Sequence, residues 1–475
     1  MAAKLVSVPL QDLCSELRPL FHQFAARAER AASEHGNMGD LEDDFASELA
    51  GMQRLALERV SQRKADAADH SRCPVCREKL ERPSHGHQRT VRTRFGPITL
   101  TRSKGYCPKC EQWRFPADDL LGLDKHATAS PALQRVESFL VSKMPAEEAA
   151  KAMEELTGRP ADDSTMAREA RRQGKRAQEL RRKMDEEACG TEGRWRVTER
   201  LRKELGAAAQ QPFVLIIQMD AWMIRERDHW GRTEPRREAG EDTSRWHWVY
   251  TATIFRLDQR ATTQSGRPMI LSRGYVATRE GLESFSSQVY GEAVRQGLLL
   301  AEDSLVIADG GVWIWKIADD RFPHSRKRLD NYHAAQHLHA VGAEIHGAGT
   351  EKAKNFVRPL LHQLRHGGEA GVVQTLADLA SAAEPAHAEN LRREAAYFET
   401  HKDHLDYAAG AAKGEPIGSG AIESTCRQLQ CRFKRPGQFW TKDGDEALLA
   451  LEVTWRNDRW NDLFPKESKK QPARR

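Results

Sequence analysis

Two Cys-x-x-Cys pairs, Cys73-Pro-Val-Cys76 and Cys107-Pro-Lys-Cys110, restrict what this chain can fold into more than any other feature. Each pair turns two thiolates toward one point. Two such knuckles complete a tetrahedral site, with zinc–sulfur distances near ~2.3 Å. Thirty residues, 77–106, separate them, more than the usual spacing of about 15–20. The insert accounts for the excess: Val91, Thr93 and Phe95, then Ile98 and Leu100, alternate as two strands joined at Gly96-Pro97. This layout predicts a zinc ribbon over 66–125 with one structural zinc on Cys73, Cys76, Cys107 and Cys110. The competing reading is two redox dithiols or free thiols. His85 and His87 lie in the insert, but four cysteines suffice. Cys14, Cys189, Cys426 and Cys431 read as free thiols in a reducing compartment.

Eight cysteines in 475 residues exclude a disulfide scaffold. Apolar runs such as Phe213 to Ile217 are far short of the ~18 residues of a membrane span. Gln11, Asp12 and Glu16 interrupt the N-terminal apolar content, making a poor signal peptide. The expectation is a cytoplasmic protein with no membrane partner. A net charge of +5, from 74 basic and 69 acidic residues, says nothing about nucleic acid until the charges are placed.

Residues 1–65 read as a helical region of mixed charge. Residues 130–205 are helix-forming. The segment from Pro145 to Leu156, a stop at Gly158, and a helix from about Ser164 predict a helix-turn-helix. Its second helix carries Arg168, Arg171, Arg172, Lys175 and Arg176 opposite Met166, Ala170 and Ala177, a face suited to the major groove. A solvated scaffold helix is the bland alternative. From Gln211 the pattern changes. Strands are expected at Phe213–Met219, about Trp246–Leu257, Met269–Val276 and Ser304–Ala308, with a helix from Arg279 to about Leu298 before the last. Arg328-Leu-Asp330 opens a fifth strand. The chain is then helical from His333 to about 408. A turn at Gly418-Ser-Gly420 precedes a late helix broken at Pro436-Gly437. The tail, 463–475, is basic.

The order strand, strand, strand, helix, strand, then helices is that of an RNase H-like core, so the expected class is multi-domain α/β. Asp220 and Asp309 are expected at the ends of the first and fourth strands, and Glu423 in the first turn of the late helix. Parallel pairing of those strands would set the two aspartates side by side. Such a cluster suits two hard cations, Mg²⁺ or Mn²⁺, about 3.5–4 Å apart in phosphoryl transfer. Taken singly, each acid also has a plain reading as a turn or helix-terminus residue. Glu226, Asp228, Asp303, Asp319 and Asp320 are rivals without a matching strand-end setting.

The late helix places Ile422, Cys426, Leu429 and Phe433 on an apolar stripe. Glu423, Arg427, Gln430 and Lys434 form the polar stripe beside it. Arg427, Arg432, Lys434, Arg435 and Trp440 form a second candidate DNA-contacting patch, with Phe439 adjacent; core packing is the alternative for the aromatics. Trp222, Trp230, Trp246, Trp248, Trp313 and Trp315 read mostly as sheet packing.

The segments Gln218-Met-Asp-Ala-Trp-Met-Ile-Arg-Glu-Arg227, Ile307-Ala-Asp-Gly-Gly-Val-Trp-Ile-Trp315, Leu329-Asp-Asn-Tyr-His-Ala-Ala-Gln336 and Gly418-Ser-Gly-Ala-Ile-Glu-Ser424, with Arg432 to Trp440, resemble bacterial insertion-sequence DDE transposases of the ISKra type, related to the Mutator-like group. The resemblance spans about Cys73 to Asp462. It implies that Asp220, Asp309 and Glu423 are the catalytic acidic triad. It also implies that Asp330-Asn-Tyr-His333 is the Asp-x-x-His element, with His333 orienting a phosphate or the scissile strand. The catalytic domain would run over 211–462, with a helical insertion at about 334–407. The implied function is a nucleoid-associated transposase, at least dimeric on DNA. It would bind element ends, cleave to leave a 3′-OH and join that end to target DNA. Two other readings stay open: an RNase H-like nuclease that does not join, and a domesticated, non-catalytic DNA-binding regulator.

Overall fold

A computed structural model describes residues 10–31, 33, 37–227, 233–241 and 243–465. Asp228, Trp230 and the tail beyond Pro465 lie outside the described residues. Among the described residues helix takes 57% and strand 17%, so the class is mixed α/β. The chain divides into two compact units, one reaching Gln173 and the other Gly174–Pro465.

The first unit holds α1 (Leu10–Ala31), α2 (Met38–Asp66), β1 (Glu81–Thr93), β2 (Gly96–Cys107), β3 (Gln112–Arg114), α3 (Pro116–Leu120), α4 (Pro131–Lys143), α5 (Ala146–Thr157) and the start of α6 (Asp163–Cys189). The strands form an antiparallel sheet in chain order. Val91, Ile98, Leu100 and Leu123 form its small apolar core. The hairpin turn is Arg94-Phe95, two residues before the expected Gly96-Pro97, because Thr93 pairs with Gly96. The Thr93 hydroxyl closes the turn, accepting from the Phe95 amide at 3.1 Å and donating to the Gly96 carbonyl at 2.6 Å. α5 stops at Gly158, whose φ of 62° is the left-handed conformation that ends helices. Met166, Ala170 and Ala177 of α6 are fully buried.

The second unit is built on a five-stranded sheet of order β10-β9-β4-β5-β8. These are β4 (Val214–Arg225), β5 (Trp246–Arg256), β8 (Gly274–Thr278), β9 (Asp303–Ala308) and β10 (Arg326–Leu329); β6 (Arg260–Thr262) and β7 (Pro268–Ile270) form a separate ribbon. β5 is antiparallel to β4 and β8 to β5, whereas β9 runs parallel to β4 and β10 to β9. The apolar run that opens β4 suits a central strand covered on both faces. Leu215, Ile217 and Met219 join the large core with Phe285 and Ile314, while Ile216 packs with Phe255, Leu305 and Ile307 on the other face.

The helices of this unit begin with α7 (Thr191–Leu205), α8 (Thr233–Glu238), α9 (Leu282–Arg295) and α10 (Val312–Arg321). Next come α11 (Asn331–His346), α12 (Glu351–Arg365), α13 (Glu369–Ser381), α14 (Ala388–Thr400) and α15 (Tyr407–Ala412). The last are α16 (Gly420–Phe433), α17 (Lys442–Arg456) and α18 (Trp460–Leu463).

Three boundaries in the second unit depart from the sequence expectation; β10, Arg326–Leu329, ends where Arg328-Leu-Asp330 is expected to open a strand, and Asp330 caps the helix that follows. The third core strand is Gly274–Thr278, not Met269–Val276: the earlier part, opening on Pro268, pairs with β6, in keeping with proline's exclusion from central strands. Asp220 lies inside β4 rather than at its end. β4 continues to Arg225 because β5 keeps pairing with it as far as Trp246.

Candidate active site and metal centre

In the first unit the four cysteine sulfurs all lie within 4.8 Å of one another. Cys73 and Cys110 sulfurs are 4.0 Å apart, and Cys76 is 3.4 Å from both Cys107 and Cys110. A tetrahedron with ~2.3 Å metal–sulfur bonds has edges of about 3.8 Å, so the group fits one metal ion such as zinc. Arg77 and Glu111, each directly after the second cysteine of its pair, share a positive φ, 64° and 53°. The two knuckles thus repeat one backbone turn. Burial disfavours the Cys73 thiolate, but the amides of Cys76 and Val75 outweigh it and bring the thiol down to about 7, whereas burial pushes Cys107 up and the Cys76 sulfur raises Cys110, so one thiolate is favoured at its neighbours' expense. His85 and His87 bond instead to Ser103 and Ser84.

In the second unit, β4 and β9 pair in parallel with Gln218 opposite Ile307. Two residues further along each chain stand Asp220 and Asp309, at the point where β9 stops and β4 goes on. Burial raises the pKa of Asp220 and Asp309 raises it further, against the Ala221 amide and the Cys426 thiol. Neither aspartate forms an ion pair with a described residue. Asp309 accepts from the Gly311 amide at 2.9 Å.

α16 packs on β4 and β5. Its apolar stripe faces inward as expected, with Ile422, Cys426, Leu429 and Phe433 all buried. Gln218, on the same face of β4 as Asp220, fixes where the helix begins: its side chain accepts from the Ile422 amide at 3.0 Å and donates to the Gly418 carbonyl at 3.2 Å. Glu423 is therefore brought to the aspartate side of the sheet, where its charge, with that of Asp220, bears on Cys426. Arg427 stands 3.6 Å from Glu423.

Asp330 follows β10 and caps α11, accepting from the amides of Tyr332 and His333 and, at 2.5 Å, from that of Ser419. Burial would raise its pKa, but His333 and Ser419 outweigh it and hold it below the carboxylate range. His333 Nδ1 is 3.9 Å from Asp330. Asp330, with Asp309 and Asp220 beyond it, raises the histidine's pKa. Asp220, Asp309, His333 and Asp330 therefore share one electrostatic neighbourhood. Among the described residues, however, only the four cysteines bring three or more ligand atoms within 4.8 Å of one another, so the three carboxylates do not cage a single ion.

The candidate DNA-contacting residues divide. Arg168 and Arg171 on α6 are exposed, and exposed Lys175 reaches Asp443. Arg172 is committed to ion pairs with Asp124 at 2.6 Å and Glu169 at 2.8 Å. Arg427 and Lys434 are exposed and Arg435 half-buried. Trp440 and Arg432 correct the expectation. Both are buried; Trp440 donates to the Phe433 carbonyl at 2.8 Å, and Arg432 lies over its ring. They pack the end of α16 instead of standing exposed like Arg427 and Lys434. Trp246 and Trp248 remain about half exposed. Gln218 and Asp330 went unnoticed as anchors; for Gln218 the signal was its place two residues before Asp220, on the same strand face.

Comparison of the sequence with protein-family models finds no match, and comparison with curated proteins finds none either. No helix among the described residues is long and apolar enough to cross a membrane.

Proposed function

We propose that this chain is a DNA transposase, with a zinc ribbon in its first unit and an RNase H-like phosphoryl-transfer core in its second. The observation that carries the reading is the parallel register of β4 and β9, which sets Asp220 and Asp309 level while α16 delivers Glu423 to the same face. The succession of three antiparallel strands, a helix and two strands parallel to the first supports it.

The donor set fits hard divalent cations. Two neighbouring carboxylates without an ion-pair partner among the described residues repel, and burial raises the cost of the Asp220 charge. Asp220, Asp309 and Glu423 would hold two Mg²⁺ or Mn²⁺ ions, which when bound stabilise the charge of an in-line displacement and acidify water. His333, in the first turn of the helix that Asp330 caps, would orient a phosphate oxygen or the scissile strand. Water attacks phosphorus as the bond to the 3′-oxygen breaks, releasing a 3′-OH. That hydroxyl then attacks a target phosphodiester, exchanging one P–O bond for another. Arg168, Arg171, Arg427 and Lys434 supply exposed phosphate contacts. Joining two ends implies at least two copies on DNA.

The test uses duplex DNA carrying the sequences that flank the coding region. Asp220→Ala is expected to abolish strand transfer while end binding persists; transfer at the wild-type rate by the variant would overturn the assignment. Supplied with pre-cleaved 3′-OH ends, the wild-type protein is expected to join them. Hydrolysis without joining would identify a nuclease instead.

A further inference from the structure

The segment between Asp309 and Glu423 folds back on the turn that carries Asp309. Tyr397 of α14 donates from its hydroxyl to the Asp309 carbonyl at 2.9 Å. The contact is built in from both sides. Gly310 adopts a φ of 94°, and a Cβ there would stand 2.8 Å from the Tyr397 hydroxyl oxygen, so only glycine admits the tyrosine this closely. Behind Tyr397, the His337 ring stacks on it with centroids 3.7 Å apart. His337 in turn donates Nδ1–H to Glu394 at 2.5 Å, and that carboxylate is nearly buried. His337 lies one turn beyond His333 on α11.

We propose that Tyr397 is a positioning residue: the helical segment uses it, locked by His337 and Glu394, to fix the Asp309 turn in the conformation that receives a divalent cation. This rests on the reading of Asp309 as a metal ligand. The Asp309 carbonyl has one hydroxyl donor from α14, and its carboxylate is held by the Gly311 amide of the same turn. Losing the first lets the turn relax and misdirects the second. Partners of metal ligands typically contribute about 10–100-fold to metal affinity.

The experiment measures Mn²⁺ binding to the full chain by electron paramagnetic resonance, without DNA, alongside the metal dependence of cleavage. Tyr397→Phe keeps the ring and removes only the hydroxyl. Its Mn²⁺ dissociation constant is expected to rise about 10-fold or more, with cleavage largely restored at saturating metal and end binding unchanged. His337→Gln is expected to shift the constant in the same direction. If Asp309→Ala abolishes Mn²⁺ binding at this site while Tyr397→Phe binds as the wild type does, the positioning role is overturned and the metal site stands. If Asp309→Ala also binds Mn²⁺ like the wild type, the site assignment falls, and the positioning role with it. A rate loss in Tyr397→Phe that metal cannot restore, with unchanged Mn²⁺ affinity, also overturns the proposal.

Discussion

At the scale of single residues, the second unit stores carboxylates where water cannot reach them. Asp445 is fully buried against Arg279. Burial pushes its pKa up to about 7 from an ordinary 3.8, against the pull of Arg279. A group whose pKa is raised on folding contributes most below its unfolded value, and that contribution is lost as pH rises through the folded one. Between about pH 4 and 7, this residue therefore makes the unit less stable with each step upward. Replacing it by Asp445→Asn is expected to flatten the fall in urea unfolding free energy from pH 5 to pH 7; an equally steep fall in the variant would refute the assignment. Nothing in the sequence marks Asp445, because a buried acid and a solvated helix-terminus acid look alike in one dimension. The strand-side acids were easier to place. Asp309 follows an unbroken apolar strand and precedes two glycines, and Glu423 sits at a fixed step on an amphipathic helix. The burial of Arg432 and Trp440 is hidden for the converse reason. Cations beside aromatics describe a DNA-contacting edge and a buried cation–π stack equally well until burial is known.

At the scale of elements, periodicity located α5, α6, β9 and α16 well. It failed where pairing decides. β4 is longer than its apolar run because β5 extends alongside it, and β8 starts later than its apolar run because Pro268 diverts the preceding residues to an edge ribbon. The end of α16 shows the same dependence on partners. Trp440 bridges to Glu226 beyond the last residue of β4, its amide donating to the Arg225 carbonyl at 3.2 Å and its carbonyl accepting from the Arg227 amide at 2.6 Å. Its ring packs on Phe433, which meets Trp222 of β4. Trp440→Ala is thus expected to destabilise the second unit by about 3–5 kcal/mol, the usual cost of emptying an aromatic core site, with DNA affinity per folded molecule preserved. An unchanged unfolding midpoint accompanied by weakened DNA binding would return this residue to the surface role.

At the scale of the whole molecule, the two units draw on different sources of stability. The core sheet of the second unit is enclosed by long apolar strands and helices. Among the described residues, the sheet of the first packs against a small apolar cluster beside the four-cysteine group, so a metal ion held there would contribute folding free energy outright. Removing metal with a strong chelator is expected to abolish or sharply lower the thermal transition of the first unit while leaving that of the second near its original temperature. Two transitions insensitive to chelation would exclude a structural metal. This division was readable early, since cysteine spacing is local and survives any error in strand placement. The segment carrying His337, Glu394 and Tyr397 was readable only as helical, because its contacts with the Asp309 turn join residues 88 apart in the chain.

The attachment of α16 has a consequence for how such a chain can vary. Gln218 pins the start of the helix to β4, and Trp440 ties the chain after it to the far end of the same strand. Between those anchors the path is measured to length, so one inserted residue would break the bridge or rotate Glu423 away from the aspartates. The turn at 347–350, between α11 and α12, is bound by no such pair of clamps. Natural or engineered variation in length is therefore expected to collect there, while the stretch from Glu423 to Trp440 keeps its count as strictly as a gear keeps its teeth.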